Sequence, residues 1–150
     1  LSKKPNNLNE APNERYFPIR QGVALMMQDS AVHLTITEFL QQLGFADFIW
    51  RGEPLTLAFE RSGTLMIEPH EQGLLLVRLQ EISEYDCADL IPKALRAVHY
   101  DQSLPLRAHT GMKGASQLAF IVALSRPQLS IAGLNEALGL LDYLHQQLNQ

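Results

Sequence analysis

An α+β fold is predicted for this chain, with elements in the order α-β-β-β-α-β-β-α, and three observations carry the prediction. Between Leu55 and Ile82, three short stretches joined only by tight turns read as strands, the first two with a clear alternation of period two. Three other stretches repeat apolar residues at three- and four-residue spacing, as amphipathic helices do. From Leu118 to Leu124 both faces are apolar, which marks a central strand or one whose second face is covered by something else.

The elements follow in order. Leu1 to Arg20 holds four Asn and three Pro, with few apolar anchors beyond Tyr16, Phe17 and Ile19. Residues 1–26 are therefore expected to be a flexible or extended N-terminal segment, an extension or an appended peptide, and 27–150 the compact domain. Asp29 or Ser30 suits the N-cap of a first helix with Val32, Ile36, Phe39, Leu40 and Leu43 on one face, ended by Gly44. In the first strand Leu55, Leu57 and Phe59 alternate with Thr56, Ala58 and Glu60. Ser62-Gly63 turns the chain into Thr64 to Glu68, and Pro69 to Gly73 turns it again into Leu74 to Leu79. A second helix carries Leu90, Ile91, Ala94, Leu95 and Val98 to about Tyr100. Pro92 is tolerable only in a first turn, which places the N-cap at Asp89. Strands are then expected at Leu104 to His109 and Ser116 to Ser125, with Thr110 to Gly114 as the hairpin turn. Ser130 caps a last helix whose stripe of Ile131, Leu134, Leu138, Leu141, Leu144 and Leu148 must pack on something, since each buried leucine contributes roughly 1.5–3 kcal/mol.

Composition excludes several classes of function. At 150 residues the chain is most simply one domain, and 46% hydrophobic with 19% charged residues is ordinary for a globular protein. A net charge of −4, with Lys3-Lys4 the only basic doublet, argues against nucleic acid, which draws on clustered Lys and Arg. The single cysteine, Cys87, rules out an intramolecular disulfide framework and fits a reducing compartment. No apolar run approaches the ~20 residues of a membrane helix, so a soluble cytoplasmic protein is expected.

No constellation of catalytic residues stands out. There is no GxSxG elbow, and Gly111-Met112-Lys113-Gly114 is too short for a phosphate-binding loop and lacks a following helix. The five histidines form no HxxxH pair, and Cys87 and His99 would face different ways on a helix, so no metal site is expected. Asp86 and Asp89 are better explained as helix-start carboxylates than as an acid–base pair. The aromatic group Phe39, Phe45, Phe48 and Trp50 is more than a short domain is expected to bury. One or two of the four are assigned to the core, and an exposed remainder would mark a protein-binding surface.

Ordered segments of the chain carry a family likeness: Ser62-Gly63-Thr64-Leu65 with Glu68 and His70; Cys87 with Asp89, Lys93, Ala94 and Leu95; Leu104 to Ala108; Ser116-Gln117-Leu118; and Val122 to Ser125. With this element order, the chain resembles the class I type III secretion chaperones, most of all the SycN group, from about Ser30 to Leu148. The resemblance implies an antiparallel curved sheet with helices packed on it, no enzymatic activity and no cofactor. It implies a dimer that offers its sheet and first helix to an extended segment near the N-terminus of a secreted protein. For SycN-like members the dimer is a heterodimer with a YscB-type chaperone. Their client is a YopN-type gatekeeper that blocks secretion until host contact, and the site of action is the bacterial cytoplasm, with possible peripheral contact with the secretion apparatus at the inner membrane.

On this basis Phe39, Leu43, Phe45, Phe48, Trp50, Leu55, Leu57 and Phe59 are the expected client surface. Leu90, Ile91, Leu95, Phe120 and Val122 are expected at the partner subunit, a YscB-type chaperone or a second copy of this chain. Two other readings stand beside this one: a regulatory protein of the same fold that sequesters a secretion regulator, and a small α+β enzyme, which would need a pocket of convergent polar groups. The sequence leaves open which face of the meander is core.

Overall fold

The computed structural model describes residues 29–61 and 63–150. The expected N-terminal segment 1–26 lies outside the described residues, as does Ser62. The first helix, α1 (Ser30–Gln42), begins where sequence placed it: Asp29 accepts from the backbone N–H groups of Ala31 and Val32 and satisfies two of the donors a helix start leaves open. Leu43 is its C-cap, and Gly44 follows at φ +108°, a conformation glycine adopts without strain. Val32, Ile36, Phe39 and Leu40 form its buried stripe.

Strands β1 (Leu55–Phe59), β2 (Gly63–His70) and β3 (Gly73–Glu81) form the expected antiparallel meander. Helix α2 (Cys87–Ala97) follows, then β4 (Ala108–Lys113), β5 (Gln117–Ser125), a 3-10 turn and α3 (Ile131–Leu148). The strand order is β1-β2-β3-β5-β4. Strand β5 is thus interior, and β1 and β4 are the edges. Register runs from Leu57 opposite Leu65 to Leu76 opposite Val122 and Val122 opposite Ala108. These residues share one face with Ile67, Leu74 and Phe120, and α1 and α3 pack over it in a single core. The question of the core face is settled for β2 by Leu65 and Ile67 and for β3 by Leu74 and Leu76.

Two boundaries differ from expectation. Helix α2 starts earlier than Asp89: the backbone N–H groups of Asp89 and Leu90 both donate to Asp86 C=O, so Asp86 is the N-cap and Asp89 lies in the first turn. Pro92 is the sixth helical residue. Its ring cannot donate to Ala88 C=O, a loss the helix tolerates because Ala88 is close to its start. Strand β4 lies later than Leu104–His109. The segment that reads as a turn is strand: Thr110, Gly111 and Met112 pair with Phe120, Ala119 and Leu118, and the Thr110 hydroxyl donates to Ala119 C=O at 2.8 Å. The turn itself is tighter and falls at Gly114, φ +66°.

Ser130 caps α3 by accepting from Gly133 N–H. The buried stripe of α3 includes Leu134, Leu141, Leu144 and Leu148 as expected, and Ala137 and Leu140 join it.

Candidate functional site

The open edge of the sheet at β1 is the first candidate. Its outward edge has no strand partner among the described residues, and such an edge presents unpaired N–H and C=O groups. Apolar side chains gather along it. Phe45, in the α1–β1 link, meets Phe59 edge to face at 6.1 Å. Leu43, Phe45, Phe48, Leu55 and Phe59 are half-buried, packed against the core on one side and open on the other.

Clefts lie at both ends of β1. At its start, Phe48, Ile49, Trp50, Pro54 and Leu55 line one of about 250 Å³. At its end, Leu43, Phe59, Leu65 and Leu138 line one of about 190 Å³, with the Arg78–Asp142 ion pair on its wall. Arg78 is buried and Asp142 half-exposed, so the pair places one charged edge beside an otherwise apolar pocket. His145, a turn further along α3, has its pKa held below the usual 6.5, first by burial and then by the Arg78 charge, with Asp142 opposing.

Not every expected client residue lies on this surface. Phe39, Trp50 and Leu57 are at most 6% exposed, so they support it from the core and do not present themselves to a client. Trp50 is fixed by two hydrogen bonds, its N–H donating to Thr37 Oγ1 at 3.0 Å and its indole Nε1–H to Glu53 C=O at 2.9 Å. Two of the four aromatic residues, Phe39 and Trp50, are therefore core.

The expected partner residues divide in the same way. Phe120 and Val122 point under the helices and are core, because their faces of β5 lie on the side that α1 and α3 cover. Leu90 and Ile91 are half-buried, and Leu95 is 55% exposed. Leu95 borders a cleft of about 690 Å³ between the end of α2 and the edge strand β4, together with Tyr100, Leu106 and His109. The sequence reading missed Tyr100 and Leu106 as candidates, since it placed Leu106 inside a strand and Tyr100 at a helix end.

A third apolar surface was also missed. On the sheet face turned away from the helices, Met66, Leu75, Val77, Leu79, Ala119 and Ile121 line a trough of about 320 Å³. Two long side chains reach across it: Lys113 Nζ on β4 comes within 3.7 Å of Met66 Sδ on β2, a strand three spacings, about 14 Å, away. The signal was present in the alternation of β5, whose second apolar face is Ala119, Ile121 and Ala123. Among the described residues no cluster of His, Cys, Asp or Glu could hold a metal ion, and no helix is long and apolar enough to cross a membrane.

The model of the type III secretory system chaperone SycN matches residues 31–149. The chain belongs to this family. The match covers α1 through α3, every element just described, and bears out the resemblance carried by the short segments of the sequence. Among solved structures, a chain of the heterodimeric complex ExoU-SpcU from the type III secretion system of Pseudomonas aeruginosa is similar. The two share 19% identity and a TM-score of 0.55, over 75% of this chain and 93% of that one. At that identity the likeness shows the fold. No curated protein matches the chain significantly. The SycN-family chain is thus a type III secretion chaperone with an α+β fold and three apolar surfaces.

Proposed function

We propose that this SycN-family chaperone binds an extended segment near the N-terminus of a YopN-type gatekeeper along the β1 edge, and that it supports the gatekeeper's secretion and its control of effector export. The observation that carries this reading is the open β1 edge with an apolar cleft at each end. An added strand would contribute main-chain hydrogen bonds to β1 and would direct alternate side chains to the helix-covered side. Two of its residues four apart lie about 13 Å from each other, the span of β1 itself, and so reach both clefts at once. Side chains in the clefts offset the chain entropy the client loses, which one anchor alone would not do.

The cleft between α2 and β4, with exposed Leu95 and Tyr100 at its rim, is the surface for a YscB-type partner chaperone. A similar chain found in a heterodimeric complex supports such an assembly. The protein acts in the bacterial cytoplasm, without cofactor or turnover.

The test is capture of the gatekeeper's N-terminal segment by the Phe45→Asp/Phe48→Asp variant, both residues being half-exposed and removable without emptying the core. Co-purification with the chaperone pair should fall at least about tenfold, because two desolvated apolar contacts are lost. Undiminished capture by a variant with native circular dichroism would overturn the assignment.

A further inference from the structure

The cleft at the end of β1 is not lined by apolar groups alone, and its charged wall bears on what a client side chain there must be. Three strands and two helices build it together. Phe59 closes β1, and Leu65 on β2 lies opposite Arg78 on β3, so these two point to the same helix-covered face. Leu43 reaches in from the C-cap of α1. Leu138 and Asp142 stand four residues apart on α3 and so share one side of that helix. We propose that this pocket selects a phenol, the side chain of a tyrosine in the client's extended segment, with Asp142 accepting from its hydroxyl. The client's presence there rests on the β1 reading.

Size sets the first limit. A volume of about 190 Å³ is below the ~300–1,000 Å³ of sites that take a whole small molecule, so it suits one side chain and not a cofactor. Leu43, Phe59, Leu65 and Leu138 give that side chain an apolar wall to meet.

Charge sets the second limit. The Arg78 side chain is 7% exposed and ion-paired with Asp142, whose own side chain is 49% exposed. The pair is neutral as a unit. A lysine or arginine brought to the carboxylate would stand beside the Arg78 guanidinium, and like charges that close repel. A carboxylate or phosphate would meet the more exposed Asp142 before it reached Arg78, whose charge is already matched. A wholly apolar side chain avoids both repulsions. It would, however, cover part of the Asp142 carboxylate and remove water from it with nothing in exchange. A phenol lays its ring on the apolar wall and replaces that water with an O–H donor, and bonds to a charged acceptor are the strong ones.

The experiment uses the full chain with isotopically labelled leucine methyl groups, followed by NMR. The probe is p-cresol, the tyrosine side chain as a free molecule, with toluene and n-butylammonium as its apolar and cationic counterparts. Titration with p-cresol should shift the methyl signals of Leu43, Leu65 and Leu138, with a Kd about tenfold below that of toluene. A pocket that read apolar surface alone would favour toluene instead. The Leu138→Trp change, at a half-buried position, fills the pocket and should abolish the shifts at Leu43 and Leu65 while other leucine methyls keep their places. The Asp142→Asn variant leaves Arg78 a neutral acceptor and should bring the two affinities within about twofold. Equal or tighter binding of toluene by the parent would overturn the proposal. So would n-butylammonium bound at the same methyls, or p-cresol binding that survives Leu138→Trp. The titration contains no client, so its failure overturns the phenol preference and leaves the β1 edge to the capture test. Failed capture beside selective p-cresol binding would instead overturn the β1 reading and support the pocket's selectivity.

Discussion

At the scale of the residue, the charged side chain that faces the core is held by a specific partner. Arg78 is the one charged residue that the described fold buries, and Asp142 meets it from α3. Breaking such a pair leaves a charge in a place that does not solvate it. His145 stands next to this pair and has a lowered pKa, so the folded protein favours its neutral form. As pH falls below 6.5 the unfolded chain takes the proton first. The contribution of His145 is therefore fully present above that pH and is lost as pH drops through its folded pKa. Urea midpoints at pH 7.5 and 5.5 should differ more for the parent than for His145→Gln, and equal differences would show that His145 is not the group responsible. Burial also separates aromatic residues that the sequence presents as equals. Trp50 and Phe39 are enclosed while Phe45 and Phe48 are not, and no local pattern distinguishes them, because the choice depends on where α1 settles over the sheet.

At the scale of the element, what was legible had a local cause. Helices α1 and α3 could be read closely because caps at Asp29 and Ser130 and apolar stripes act within a few residues of one another. The meander was legible for the same reason. Strand β4 was not: Thr110-Gly111-Met112 has the composition of a turn, and only pairing with β5 makes it strand. The start of α2 was displaced by the weight given to Pro92, whose missing hydrogen bond is a smaller loss near a helix end than in its middle. The β1 surface was partly legible, as apolar excess near α1, whereas the trough became visible only when both faces of β5 were placed. Close pairing also explains Gly73. A methyl group there would collide with Leu124 C=O on β5, so Gly73→Ala should separate β3 from β5 and destabilise the fold by about 2–4 kcal/mol in chemical denaturation. A change under about 0.5 kcal/mol would mean that the two strands shift apart freely at that end.

At the scale of the whole molecule, a thin layer of helices on one sheet face leaves three apolar surfaces: the β1 edge with its clefts, the α2–β4 cleft and the far-face trough. They share no lining residue, so a client at the β1 edge and a partner chaperone at the α2–β4 cleft would not compete for the same side chains. The two sheet edges carry a further consequence. Because β1 and β4 are different strands at opposite ends of one open sheet, contact of β1 in one copy with β4 in the next is head to tail, and each addition exposes a fresh β1. Such growth has no closing step and leads toward ribbons, whereas two-fold pairing confined to one edge ends after one event. A client on β1 or a partner against β4 would then act as a chain terminator. Light scattering from concentrated chaperone alone should rise with time, and client peptide at equal concentration should hold it flat; growth unaffected by the peptide would place the contact elsewhere. On that reading, assembly with partners would also keep the chain from assembling without limit on itself.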